Sequence, residues 1–208
     1  PQLLIREMVC SSEGDTPKKE TAHQFQPMSK FNLSKGIYQF GELPLNHFKA
    51  AEFEGEGTVE KVLSGDKNSN RLVAEDNRNW LIAGFDDEDL LIGRDGDDYL
   101  YGGERNDTLV FIGGRDVLEG GSGADAFEID LSNLSVEDTA TITDFNDIGD
   151  TIHFWNVDPH LSMDISVDCS AMVTSNLGSG QRSVVAVLTG LEGDEVFEIN
   201  NNSIELIG

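Results

Sequence analysis

The chain predicts an all-β fold, a right-handed parallel β-roll with β-rich caps at both ends. Three observations predict it. Val73, Ile82, Leu91, Leu100, Leu109, Leu118 and Phe127 are apolar and stand at a strict nine-residue spacing. Two residues before each of the last five stands an aspartate: Asp89, Asp98, Asp107, Asp116 and Asp125. Glycines cluster just upstream, as in Gly93-Arg94-Asp95-Gly96-Asp97-Asp98 and Gly120-Gly121-Ser122-Gly123-Ala124-Asp125. Nine residues divide into a six-residue turn and a three-residue strand. Such a strand buries nothing alone, so it must stack on its own copies with the apolar residue inward.

The turn carries the chemistry. Glycine recurs where the chain bends sharply and φ > 0 is needed. A backbone curled that tightly aims several carbonyl oxygens at one point, and the aspartate adds negative charge. Such a cluster of oxygens suits a hard cation of calcium size. Successive turns fall on opposite edges of a flattened coil, so same-edge turns lie eighteen residues apart. They should stack at the interstrand spacing of ~4.8 Å. One ladder holds Asp89, Asp107 and Asp125, and the other Asp98 and Asp116. A cation fits between vertical neighbours, which gives three sites. The candidate ligand positions are Gly84, Asp86, Asp89, Gly93, Asp95, Asp98, Gly102, Glu104, Asp107, Gly113, Asp116, Gly120, Ser122 and Asp125. Asp86, Asp95 and Asp97 either add oxygens or merely solvate the edge.

The turns depart from one another. Phe85 and Arg105 stand where glycine is expected, and the glycines before Asp116 are displaced by two. Further upstream Arg71 and Trp80 take the place of the aspartate while Leu72-Val73 and Leu81-Ile82 keep the strand. Residues 65–83 are therefore expected to form roll-like turns without metal, at the closed end of the stack.

The remaining elements follow in order. Residues 1–25 are polar and read as a linker or lead-in. Residues 26–64 read as a β-rich N-terminal cap, with strands around Phe31-Asn32-Leu33, Ile37 to Phe40 and Thr58 to Val62 and a short helix over Leu45–Phe53. The apolar end of a solenoid needs such a cover. Residues 65–128 form the roll and 129–208 a β-rich C-terminal cap. In that cap, Ala140 to Phe154 contains an alternating strand, Asp144-Phe145, an acidic turn and a second alternating strand. Asp144 and Asp150 serve there either a further metal or their own turn, as in an ordinary hairpin. Strands are expected again at 183–191, 196–199 and 203–207.

Gly120 to Glu128 reads G-G-x-G-x-D-x-U-x without an error, where U is a large apolar residue. With the register around it, the chain resembles RTX proteins, which carry the haemolysin-type calcium-binding nonapeptide repeat. The Asp144–Ile152 segment is similar to one that follows the repeats in serralysin-type proteases and in the repeat modules of mannuronan epimerases. The resemblance implies bound Ca2+, an extracellular bacterial setting and type I secretion through an uncleaved signal near the C-terminus. It also implies a covalently attached upstream domain, in keeping with a chain that begins at Pro1 and reads as part of a longer protein.

Composition narrows the field of partners. The formal net charge is −25, from 39 acidic and 14 basic residues. A compact apo state with that charge repels itself. No basic stripe invites nucleic acid, and no apolar run is long enough to span a membrane. Cys10 and Cys169 cannot make a disulfide framework, although one bond between the chain's ends is open to them. His23, His47, His153 and His160 form no H-E-x-x-H, and there is no G-x-S-x-G. His153 reads as a structural residue. The sequence thus favours a non-catalytic calcium-binding module that folds on extracellular calcium and supports secretion and stability of a larger exoprotein. The alternative is a carbohydrate- or surface-binding module of a polysaccharide-active enzyme or adhesin, with a glycan as ligand.

Overall fold

A computed structural model of the chain describes residues 4–7, 59–156, 162–165, 171–176, 182–189, 191, 195–200 and 202–208. The described secondary structure is strand throughout. It comprises β1 (Leu4–Glu7), β2 (Lys61–Ser64), β3 (Arg71–Val73), β4 (Trp80–Phe85), β5 (Leu90–Ile92), β6 (Tyr99–Glu104), β7 (Thr108–Phe111) and β8 (Arg115–Ser122). It continues with β9 (Ala126–Asp130), β10 (Thr139–Ile142), β11 (Thr151–Trp155), β12 (Ser162–Ile165), β13 (Ala171–Asn176), β14 (Arg182–Leu188), β15 (Val196–Ile199) and β16 (Ser203–Leu206).

From β2 to β11 the chain alternates between two sheets at every strand. Sheet I has the order β1-β15-β16-β11-β9-β7-β5-β3, and sheet II the order β12-β13-β14-β10-β8-β6-β4-β2. All neighbours among β2 to β11 are parallel. This is the expected β-roll. The alternation carries on beyond residue 128, through β10 and β11. An ordinary hairpin at 140–154 is thereby ruled out: β10 lies beside β8 in one sheet and β11 beside β9 in the other. The segment is one more coil of the roll. The antiparallel strands β12, β13, β15 and β16 then extend both sheets. The strands expected at 183–191, 196–199 and 203–207 are β14, β15 and β16. That expected over 58–62 begins later, at Lys61 in β2.

The ruler of apolar residues is the core. Ile82, Leu91, Leu100, Leu109, Leu118 and Phe127 are all completely buried. They face one another across the two sheets because inward and outward positions alternate along each strand. A second row, Phe111, Ile129 and Phe154, widens the core toward the C-terminal end. Phe145, from the Asp144-Phe145 pair, plugs that end. Its ring centroid lies 6.0 Å from that of Phe127 and 6.1 Å from that of Phe197.

One step of the ruler fails. Leu72, not Val73, pairs with Leu91, and Leu72 packs against the core. Sheet I steps by nineteen residues from Val73 to Ile92, whereas sheet II steps by eighteen from Leu81 to Tyr99. The turn Ala74–Asn79 therefore holds one extra residue. Since side chains alternate, a one-residue slip exchanges inside for outside, and Val73 turns away from the core. The strands expected around Phe31 and Ile37, the helix over Leu45–Phe53 and the Cys10–Cys169 pair lie outside the described residues. No helix among the described residues is long and apolar enough to cross a membrane.

Candidate metal centre

The turns form two edges. The first edge, leading from sheet II to sheet I, carries the turns ending at Asn70, Asp89, Asp107, Asp125 and Asp150. The second, leading back, carries those ending at Trp80, Asp98 and Asp116.

On both edges the aspartates are stitched to the coil before. Oδ1 of Asp107 accepts the Asp89 amide at 2.7 Å, and Oδ1 of Asp125 accepts the Asp107 amide at 2.8 Å. Oδ1 of Asp116 accepts the Asp98 amide at 2.9 Å, and that of Asp98 the Trp80 amide at 2.7 Å. Each bond joins residues eighteen apart. A carboxylate thus replaces the carbonyl that an ordinary ladder would supply, and both edge aspartates and apolar rulers fall into register together.

The second oxygen is left over. Among the described residues, Oδ2 of Asp89, Asp107 and Asp116 are buried and have no hydrogen-bond partner. A buried carboxylate oxygen without a partner is costly. Each of the three looks into a small void where a glycine lacks a side chain. A Cβ on Gly84 would collide with Asp89 Oδ2 and lie 2.7 Å from the Gly102 carbonyl oxygen. A Cβ on Gly102 would collide with Asp107 Oδ2 and approach the Gly120 carbonyl at 2.5 Å. On the second edge, a Cβ on Gly93 would lie 2.7 Å from Asp98 Oδ2 and 3.1 Å from Asp116 Oδ2. Three cradles result, each lined by carboxylate or carbonyl oxygen and each facing one orphaned oxygen.

The donor set decides the metal class. Among the described residues no three His, Cys, Asp or Glu side chains converge as a metal cluster. The two first-edge cradles instead combine one carboxylate with a backbone carbonyl, and the second-edge cradle brings two carboxylates together. All-oxygen donors without imidazole or thiolate fit a hard cation, not zinc or copper. Without a cation the carboxyls hold their protons tightly. Burial pushes Asp107 up to about 8, helped by the charges of Asp125 and Asp89. Burial likewise lifts Asp98 and Asp125 to about 6 and Asp116 well above the usual carboxylate range.

The other expected ligand positions fall into two groups. Asp86, Asp95, Glu104 and Ser122 lie on the exposed rim of the turns. Asp95 accepts a hydrogen bond from Asn77 Nδ2 there. Gly113 is buried beside Asp95, and the position matching Gly93 is filled by Phe111, whose side chain enters the core. Asp144 and Asp150 are different again. Both oxygens of Asp144 accept amides, from Gly120 at 3.0 Å and Gly121 at 2.7 Å. Asp150 accepts the Asp125 amide through Oδ1 and the Asn146 and Asp147 amides through Oδ2. Asp147 takes the Gly123 amide, and Asp138 the Gly114 amide. Four carboxylates thus close the last repeat coil.

Sequence reasoning missed Asp138 and Asp147, because their spacing to the amides they accept is 24 rather than 18. It also missed Asn70. The slip at Val73 hides that Asn70 occupies the aspartate position of the first coil. Its backbone amide donates to Asp89 Oδ1 at 2.7 Å, and its Oδ1 faces the Gly65 void near the Gly84 carbonyl. Unlike the orphaned carboxylates, this oxygen is satisfied, by the Asp66 amide at 2.7 Å.

Turn geometry explains the glycines and their substitutes. Phe85, Gly103 and Gly121 form one column, all at positive φ (91°, 128° and 102°). A Cβ on Gly103 or Gly121 would strike the carbonyl of the coil before. Asp87, Arg105 and Gly123 form a second such column, with φ of 72°, 80° and 146°. Arg105 reaches back to Asp87, with 3.9 Å between the charged groups. Non-glycine residues held there cost about 1–2 kcal/mol each.

The comparisons with known proteins agree with this geometry. Residues 86–109 and 113–128 match the model of the RTX calcium-binding nonapeptide repeat, in four copies. No curated protein and no solved structure matches the chain. RTX repeats are typical of secreted bacterial proteins. The stacked turns with their oxygen-lined cradles are an RTX calcium-binding repeat array.

Proposed function

We propose that the array binds three calcium ions, one per cradle, and that this binding is what folds the roll. Asp89 with Gly84 and Gly102 holds the first ion, and Asp107 with Gly102 and Gly120 the second. Asp98 and Asp116 over Gly93 hold the third. The carrying observation is the match between orphaned buried oxygens and cradles: Asp89, Asp107 and Asp116 each leave one Oδ2 without a partner. Calcium supplies that partner and cancels the repulsion between stacked carboxylates. Asp144 and Asp150 close the stack through amides, Asp86, Asp95, Glu104 and Ser122 tune the rim, and Gly113 packs beneath Asp95.

Coupled folding suits secretion. With little calcium the acidic chain stays unfolded and threads a type I channel. At the millimolar calcium outside, ions bridge the turns and stabilise the roll through mass action. Weak sites suffice there, with Kd on the order of 10⁻⁴–10⁻³ M. The module so formed stabilises a larger exoprotein, with residues 65–128 as the metal-binding part and the flanking segments as its covers.

Circular dichroism in excess chelator, then in millimolar calcium, tests this reading. The expected outcome is a coil spectrum that converts to β structure, with magnesium a poor substitute because it keeps its waters and demands a tight octahedron. A chelator spectrum already identical to the calcium form rules the mechanism out.

A further inference from the structure

We propose that the Asp95-Gly96 step is a modification site, which rearranges spontaneously to isoaspartate in the unfolded chain and is held inert by the folded second edge. It is the only Asp-Gly step in the sequence, and no Asn-Gly step accompanies it. The chemistry needs no enzyme and no reagent but water. The Gly96 amide nitrogen attacks Cγ of the Asp95 carboxyl. The N–Cγ bond forms, the nitrogen gives up its proton, the carboxyl gives up a hydroxyl, and the two leave as water. A cyclic imide results. Water then adds across one of its two C–N bonds and opens the ring. One opening restores aspartate. The other routes the main chain through the side chain, as isoaspartate. Glycine suits the attack, because without a Cβ it lets the chain bend its nitrogen onto the carboxyl.

The fold restrains both reacting groups. Asp95 lies on the exposed rim, and its Oδ2 accepts a hydrogen bond from Asn77 Nδ2 at 2.8 Å. Its Oδ1 is turned toward the next coil, where a Cβ on Gly113 would stand 3.2 Å away. Gly96 is buried between coils. A Cβ on Gly96 would collide with the Arg78 carbonyl, and a Cβ on Gly114 would collide with the Gly96 carbonyl. Just beyond, the Asp97 amide donates to Asn79 Oδ1 at 3.0 Å. Asn77 and Asn79, both from the coil before, therefore clamp the step on its two flanks. Ring closure needs the nitrogen about 3–3.5 Å from the carbon and aligned with it. Reaching that geometry means rotating a peptide that is packed from above and below.

The product no longer fits the fold. Isoaspartate lengthens the main chain by one methylene inside a turn with no slack, since Gly96 is pressed by Arg78 on one side and Gly114 on the other. Asp98 follows two residues later and is fixed at both of its groups. Its Oδ1 takes the Trp80 amide, and its own amide goes to Asp116 Oδ1. A longer turn pulls it from both, and the cradle over Gly93 goes with them. In its calcium dependence the inference rests on the ion-driven folding proposed above. Calcium then does more than fold the roll: it protects a step whose rearrangement bars the second edge from forming again.

Ageing the full chain at neutral pH for several weeks tests the site, in urea with chelator and, separately, in millimolar calcium. Circular dichroism checks that the first sample is coil and the second β structure. Peptide mapping with electron-transfer fragmentation tells the two isomers apart at equal mass. It should find isoaspartate formed at Asp95 in urea, and at least about tenfold less in calcium. One site with Kd of about 10⁻⁴ M already shifts the folded share by that factor at millimolar calcium. Asn77→Ala aged in calcium should form several-fold more than the parent chain, with its circular dichroism unchanged. Equal formation in urea and calcium would overturn the protection, and no formation in urea would overturn the site itself. An Asn77→Ala variant that ages like the parent would overturn the clamp. Calcium titration of the unaged chain reads the three-ion proposal separately, so failure of that proposal and failure of the protection are distinguishable.

Discussion

The two edges of the roll obey one nine-residue rule and arrive at different sites. On the first edge, glycine is kept at the head of three successive turns, as Gly84, Gly102 and Gly120. Gly84 and Gly102 open cradles that each join one carboxylate oxygen to the carbonyl of the next coil, whereas Gly120 faces Asp125 alone. On the second edge Phe111 fills the matching position and the pattern stops. One cradle remains, shared by two carboxylates over Gly93. A cation site in this architecture is thus decided less by the aspartate than by the missing side chain opposite it. Asp116 is aspartate in sequence, and its free oxygen serves the coil above, not its own turn.

The largest expected effect abolishes the distinction between edges. Leu109 is completely buried between them, and Leu109→Ala should cost about 2–5 kcal/mol. Both edges should then need more calcium to form, seen as a raised calcium midpoint by circular dichroism. Thr108→Ala, on the outer face, should leave the midpoint near its original value. Comparable shifts would refute the assigned register.

Next come the glycines themselves. Gly102→Ala places a methyl where Asp107 Oδ2 and the Gly120 carbonyl converge. Isothermal titration should lose at least one calcium. Gly113→Ala meets nothing closer than Asp95 Oδ1 at 3.2 Å and should keep full stoichiometry. Equal losses from the two would erase the contrast between edges.

Acid should act on the metal-free chain in the opposite sense to ordinary acid denaturation. The folded pKa of Asp107 is about 8, and those of Asp98 and Asp125 about 6, against 3.8 for an unperturbed aspartate. A raised folded pKa means the folded form binds protons more tightly than the unfolded one. Its stabilising effect is full below about pH 4 and is lost as pH rises through 6 to 8. In chelator, lowering the pH from about 8 should therefore increase β structure, Asp107 responding before Asp98. A steady loss of β signal over that range would contradict the burial assigned to these carboxyls.

The smallest effect concerns strain. Arg105 sits at φ 80° where the next coil has Gly123. Arg105→Gly should relieve about 1 kcal/mol, more than its exposed pairing with Asp87 contributes. A slightly lower calcium midpoint is expected, and a higher one would mean that the pairing outweighs the strain.

Most of this was legible because the roll is periodic. From Ile82 to Phe127 every apolar position and every aspartate predicted from spacing lies where the nine-residue rule puts it. Legibility ended where the period did. The extra residue in the Ala74–Asn79 turn exchanged Leu72 for Val73 and hid Asn70. Beyond Asp125 the spacing stretches to 24 and 25 residues, so Asp138 and Asp147 could not be read as closing groups. The free Oδ2 atoms were invisible for another reason. Which oxygen of a carboxylate is spent on a backbone amide depends on stacking, and no spacing records it.

The stitching at each aspartate runs in both directions. The amide of Asp89 is answered by the Asp107 carboxylate, that of Asp107 by Asp125, and that of Asp125 by Asp150. In return the amides of Thr108, Ala126 and Thr151 donate to the carbonyls of Asp89, Asp107 and Asp125. Cutting a coil from either side therefore strips an amide of its acceptor, which is costly where the amide is buried. The array is a stack of clasps, each fastened from above and below, and it cannot be shortened at either end without a new cover.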